Sequence, residues 1–296
     1  MSSSLGDVIY CYGNCQLKSI AAYLRAIPEV VERYPTIEYF YVLDDVSRLN
    51  REKLARAKVF LYQHTTVRAL VGSTEETRLQ STSEYIVDHI LPKDCVSISV
   101  PSVYSSILFP NAMSTSEAQV GFPDTVSADH FPNYAFSRRL HQMLLDRIEV
   151  NEIVSRMCNE DAYSVAELER NEQQNYENLR KREIDNNVTI PLAQYIRDNF
   201  RNHRLLHSTN HPTRLFFDYL LNEILKLMKC SPSSIALDME DPMTTLARLP
   251  VLPCVVKHLQ LDMSHSSYAD TDIWVLGRSF ASYKEYVVYL AGLLAE

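Results

Sequence analysis

Glycine is what this sequence has least of for its size. Six glycines, at positions 6, 13, 72, 121, 277 and 292, stand in 296 residues, where an average share of about 7% would supply roughly 21. No two lie closer than seven residues. Neither G-x-G-x-x-G nor G-x-x-x-x-G-K-[ST] can therefore be written, and the glycine-built phosphate cradles are excluded. Basic residues are also short: 29 Lys and Arg against 37 Asp and Glu leave a net charge of −8. Duplex nucleic acid calls for the opposite sign, so it is not an expected partner. The cysteines include one C-x-x-x-C (Cys11, Cys15) and no C-x-x-C, a spacing that gives no reason to expect a metal. No apolar run reaches the ~18 residues of a membrane span, and no charged n-region with an apolar h-region opens the sequence. The expectation is a cytoplasmic protein with free thiols.

What remains is 46% apolar, enough to bury a core. Val8 to Tyr12 is a β-branched and aromatic run stopped by Gly13 and Asn14, a buried strand by its pattern. The period then changes: Leu17, Ile20, Ala21 and Leu24 mark one helical face ending before Pro28. Ile37–Leu43, Val59–Tyr62 and Cys95–Val100 read as further strands, with helical stretches at Arg48–Ala57 and Thr82–Ile90 between them. Such alternation predicts an α/β fold with a mainly parallel sheet, an SGNH- or flavodoxin-like three-layer core. Residues 101–135 carry four prolines and read as a long irregular loop. Residues 136–230 look helical, and Asn159–Asp185 reads as a solvated charged face. Thr209-Asn210-His211-Pro212 has the form of a helix start. One domain over 1–296 is expected, in which residues 1–135 form the sheet, residues 136–230 are largely helical, and residues 231–296 pack on the core.

The segment that promises chemistry is Gly13-Asn14-Cys15-Gln16, where the first strand hands over to the first helix. Ligands of open α/β sheets collect at strand carboxyl ends near the topological switch point. A cysteine at a helix N-terminus feels the positive end of the macrodipole, which favours thiolate. The same amides suit an anion or oxyanion. Gly13 permits close approach, and Asn14 and Gln16 offer amide donors. Cys11, inside the strand run, reads as core. A thiol nucleophile wants a base. Gln63-His64 closes the third strand, which in a doubly wound sheet neighbours the first, so His64 would face Cys15. His211, one turn before Arg214, is the rival base or a phosphate grip. An orienting acid could be Glu38, a charge inside an aromatic strand, or Asp44 or Asp45. Lys18, Arg25, Arg138, Arg139 and Arg214 are cations for a phosphorylated ligand. Asp262-x-x-His265 matches an esterase spacing that chance supplies readily.

Gly13-Asn14-Cys15-Gln16, a third strand ending on Gln63, the middle segments Val100–Tyr104 and Leu108–Pro110, and Thr209–Thr213 together resemble the WcbI family of polysaccharide-biosynthesis proteins, over about residues 8–230. The resemblance implies an SGNH-like α/β fold, binding of coenzyme A or acetyl-CoA, and O-acetyl transfer to a capsule sugar. It puts Cys15 in the nucleophile's place and His64 or His211 in the base's; Glu38 as orienting acid is a reading of the residues alone and no part of the resemblance. Gly13, Asn14, Gln16, Lys18, Gln63, Asn210 and Arg214 become the donor-binding set. The partners expected are an acyl donor, a sugar acceptor and a second copy of the chain. An SGNH-like esterase and a non-catalytic ligand-binding subunit are the alternatives.

Overall fold

In the computed structural model, residues 7–72, 74–123, 136–235, 239, 241–244, 246–262, 273–275 and 277–294 are described. The chain divides into two compact units, one of residues 1–102, 181–192 and 214–240, the other of residues 103–180, 193–213 and 241–296.

The first unit is built on four strands: β1 (Val8–Gly13), β2 (Thr36–Tyr41), β3 (Ala57–Tyr62) and β4 (Val96–Ser99). They lie in the order β2-β1-β3-β4, every pair parallel. This is the expected α/β sheet. The chain leaves β1 to one side for β2 and returns past it to β3, so the switch point lies between β1 and β3. β1 is buried on both faces along its whole length, which is why it reads as an unbroken apolar run rather than an alternation. Val8, Tyr10 and Tyr12 point to one face, into a cluster with Phe40, Leu54, Phe60 and Ile86. Tyr12 stacks on Phe40 at 5.6 Å and 7°, and its hydroxyl donates to the Ser81 carbonyl at 2.6 Å. Truncating fully buried Phe60 to alanine would cost about 3–5 kcal/mol. The other face meets α1 (Cys15–Arg25), whose Leu17, Ile20 and Leu24 are buried as the spacing predicts. Tyr23 of α1 in turn packs on Phe217 of the helix Arg214–Leu227, ring centroids 5.6 Å apart. Helices thus cover both faces, giving three layers.

The second unit departs more from expectation. Helices Arg138–Leu145, Val150–Met157, Ala193–Asn199 and the 21-residue Val165–Asp185 are as the sequence suggests. The last of these, whose final turn counts with the first unit, buries Leu168 and Leu179 and leaves most of its charges in water. Thr209 and Asn210 do not cap a helix. They form the two-residue turn of a hairpin, Leu206–Ser208 against His211–Pro212, and the helix begins at Arg214. A small antiparallel sheet joins Ala247–Arg248, Ile273–Val275 and Arg278–Phe280; strands of two or three residues are too short to show a period. The described portion of the proline-rich loop is pinned rather than slack: the Ser106 amide donates to Asn175 Oδ1 at 2.7 Å, and Ile107, Leu108 and Phe109 are buried. Asp262 is described, but the rest of the Asp262-x-x-His265 spacing lies outside the described residues.

Candidate active site

At the carboxyl end of β1 the chain turns directly into α1. Asn14 is the N-cap, its Oδ1 accepting the Gln16 amide at 2.9 Å, and Cys15 is the first helical residue. Gln63, one step beyond β3, continues the ladder by donating its backbone amide to the Tyr12 carbonyl at 3.0 Å. Its buried side chain spans the gap between the two strand ends. Oε1 accepts the Asn14 amide at 2.8 Å and Nε2 donates to Gln16 Oε1 at 3.2 Å. That clamp explains Gly13. A Cβ there would lie 2.6 Å from Gln63 Oε1 and 2.8 Å from Leu17 Cδ1, closer than atoms can pack. From β2, the Tyr39 hydroxyl reaches the Asn14 carbonyl at 3.0 Å and the Gly13 carbonyl at 3.3 Å.

The thiol of Cys15 rests against the amides of Cys15 and Gln16, with the charge of Lys18 nearby. These lower its pKa, as the helix position predicts, but burial outweighs them and the net shift is upward. The resting group is a thiol. The helix start lowers the pKa as expected, and desolvation, which disfavours the charged form, outweighs it. Burial, and next the adjacent Cys15, raise the Tyr39 phenol in the same way. Cys11 behaves as a core residue, wholly buried, its thiol pushed up to about 12 by burial.

Gly13, Asn14, Cys15, Gln16 and Gln63 are thus brought together at the switch point. His64 follows Gln63 and is exposed, and no hydrogen bond among the described residues joins it to Cys15. Glu38 is held by Lys53 at 2.6 Å; strand alternation turns it to the face opposite Tyr39. Asp45 caps a short turn by accepting the Ser47 amide at 2.8 Å. Lys18 is exposed on α1. Arg25 donates to the Ile37 carbonyl at 2.6 Å, Arg138 pairs with Glu117 at 2.7 Å, and Arg139 pairs with Glu167 at 3.2 Å. Those three guanidiniums are engaged within the protein.

The second unit carries a polar cluster of its own on the hairpin. His211 Nδ1 lies 2.9 Å from Ser208 Oγ, which also donates to Asn210 Oδ1 at 3.3 Å. Next to it, His207 Nε2 is 2.9 Å from the Asp241 carboxylate. Burial, then the neighbouring His207, lowers the His211 pKa to about 4, against a smaller pull from Asp241. Burial also lowers His207 despite the Asp241 hydrogen bond. Both imidazoles are neutral at pH 7. The sequence pattern singles out His211 and Asn210 here, but not His207, Ser208 or Asp241. The signal available was the two-residue Thr209-Asn210 turn, which sets Ser208 opposite His211 across a hairpin. Tyr39 escapes the pattern as well, although it alternates with Glu38 on one strand.

An all-parallel, doubly wound sheet with a cysteine at the helix start beside its switch point defines an α/β protein. The family model described as polysaccharide biosynthesis enzyme WcbI matches residues 8–233, and the chain belongs to that family. Comparison with curated proteins gives no match. A solved structure of WcbI, a polysaccharide biosynthesis enzyme, superposes with a TM-score of 0.74 at 17% identity, over 98% of this chain and 90% of that one. That structure is described as the native protein without a disulfide bond between coenzyme A and one of its cysteines. Among the described residues no helix is long and apolar enough to cross a membrane.

Proposed function

We propose that this enzyme transfers an acyl group, in the first instance acetyl, from coenzyme A to a sugar hydroxyl of a surface polysaccharide or glycolipid, in the cytoplasm where acyl-CoA is made. The observation that carries the reading is the mounting of Cys15. Its thiol sits on the first turn of a helix, against the amides of Cys15 and Gln16, at the place in a doubly wound sheet where ligands collect. The family's role in polysaccharide biosynthesis and the neighbour's association of coenzyme A with a cysteine support it.

The residues fit such a donor without a glycine cradle. The α1 N-terminus with Lys18 would attract phosphate or a developing oxyanion, while Asn14, Gln16 and Gln63 hold the turn rigid. In the reaction the Cys15 sulfur attacks the acyl carbonyl and its proton passes to an imidazole. The carbon–sulfur bond to the carrier breaks and the carrier leaves as the free thiol. The acyl group then passes to the sugar oxygen, the hydroxyl proton is taken up by the imidazole, and Cys15 is restored. Because Cys15 rests as a thiol, a base is needed at the moment of attack. His64 and His211 are the two residues proposed for it.

Calorimetry with coenzyme A and acetyl-CoA should show binding of both; no binding by either refutes the proposal. Release of free coenzyme A thiol from acetyl-CoA in the presence of a panel of sugars should be lost in Cys15→Ala and in whichever of His64→Ala and His211→Ala removes the base. Full turnover in Cys15→Ala would make Cys15 structural. Acetate release from simple esters with no need for coenzyme A would favour hydrolysis instead.

A further inference from the structure

Imidazole is a general base only through a bare nitrogen, and which nitrogen is bare depends on what the other one holds. On the hairpin that choice follows from counting protons. Ser208 has one hydroxyl proton and is fully buried. Asn210 Oδ1, 3.3 Å away, can only accept, so the Ser208 proton goes there. Ser208 Oγ is then left as an acceptor toward His211 Nδ1 at 2.9 Å. The proton on His211 must sit on Nδ1. Nε2 is bare, and no hydrogen bond among the described residues engages it.

The turn is held on every side, so the chain of three side chains keeps its geometry. The Ser105 amide donates to the Thr209 carbonyl at 2.7 Å, the Leu249 amide to the His207 carbonyl at 2.9 Å, and the Thr213 amide to the Leu205 carbonyl at 2.9 Å. The second imidazole is set independently: the Asp241 carboxylate accepts only, which puts the His207 proton on Nε2. The buried His207 Nδ1 has no hydrogen-bond partner among the described residues. The two rings of one hairpin are therefore fixed in opposite tautomers.

We propose that Ser208 and Asn210 are positioning residues that hold His211 as the Nδ1–H tautomer and present Nε2 as the base toward a hydroxyl-bearing acceptor. The proposal deepens the acyl-transfer reading and rests on His211 being that base. Its sense is opposite to the preference of a free imidazole, which favours the Nε2–H form, so the protein has to impose it.

The test is nitrogen NMR on protein labelled with ¹⁵N-histidine at pH 7, the His211 signals assigned by their loss in His211→Asn. The expected spectrum has Nδ1 protonated and Nε2 bare for His211, and the reverse for His207. Asn210→Ala should release the Ser208 proton to His211 Nδ1 and invert the tautomer. It should also lower kcat for acetyl-CoA turnover about 100-fold, in the range of general-base effects. Ser208→Ala, should Asn210→Ala fail to fold, is expected to give a mixture of both forms. A protonated Nε2 in the unaltered protein, or a tautomer indifferent to both substitutions, overturns the proposal. Full turnover with an inverted tautomer would uphold the positioning and refute His211 as the base.

Discussion

Replacing Gly13 by alanine tests the clamp at its tightest point. The added Cβ falls 2.6 Å from Gln63 Oε1 and 2.8 Å from Leu17 Cδ1. Neither neighbour can withdraw cheaply. Leu17 is fully buried, and Gln63 is fixed by its backbone bond to Tyr12 and its two side-chain bonds to Asn14 and Gln16. Relief requires breaking the Asn14–Gln63 bond, which leaves a buried acceptor and costs about 1–3 kcal/mol. Residual crowding against Leu17 adds about 1–3 kcal/mol. Together they predict a loss of about 2–6 kcal/mol in urea unfolding. Gly292→Ala is the control: nothing lies within 4 Å of its added Cβ, and it sits inside the helix Tyr283–Leu293, where alanine should gain about 0.5–1 kcal/mol. In a Gln63→Ala background the cost of Gly13→Ala should shrink by about 1–3 kcal/mol, the share belonging to the clamp. Gly13→Ala within about 0.5 kcal/mol of the parent, an ordinary surface effect, would refute the reasoning.

Three further outcomes follow from the same geometry. Cys15 should react with a thiol-specific reagent along a pH curve whose midpoint lies above the ~8.5 of a free cysteine, and a midpoint below that value would contradict burial as the dominant influence. His211 binds no proton in the folded state until about pH 4, whereas unfolded histidine does so near 6.5. The unfolded chain then holds the extra proton between those values, so stability falls as pH drops from about 6.5 to about 4. Urea titrations should show that portion of the decline removed in His211→Asn; an unchanged pH profile argues against the buried neutral ring. Lys18→Ala should weaken acetyl-CoA binding in a salt-sensitive way, by about 0.3–1 kcal/mol if it acts through the exposed helix start, while Lys53→Ala, which frees Glu38, should leave binding alone.

The first unit was readable because its signals are local and strong. A buried apolar strand, a change of period at Gln16 and a proline closing the helix point the same way, and the neighbouring of β1 and β3 is a rule of doubly wound sheets. Gln63 and Cys15 could be placed together on that rule alone. The second unit resisted because its decisive features are short. Thr-Asn-His-Pro suits a helix start and a tight hairpin equally, and only the ladder between Leu206 and Pro212 decides it. Charge partners were illegible for a different reason. Glu38 looked like a stranded acid until Lys53, 15 residues on, proved to reach it, and Asp241 is 34 residues from the His207 it orients. The thiol's protonation failed to show because burial is a tertiary quantity.

The clamp has a consequence for motion. Gln63 is joined to Tyr12 by backbone and to Asn14 by side chain, so the turn bearing Cys15 is an extension of the sheet's central ladder rather than a loop laid over it. Amides in such a position exchange with solvent only when the cooperative unit they belong to opens. The Asn14 and Gln63 amide protons should exchange as slowly as those of Tyr10 and Leu61 inside the strands. A site mounted in this way cannot loosen on its own: its lifetime is that of the fold, and any flexibility needed to admit and release ligands has to come from segments other than the one carrying the thiol.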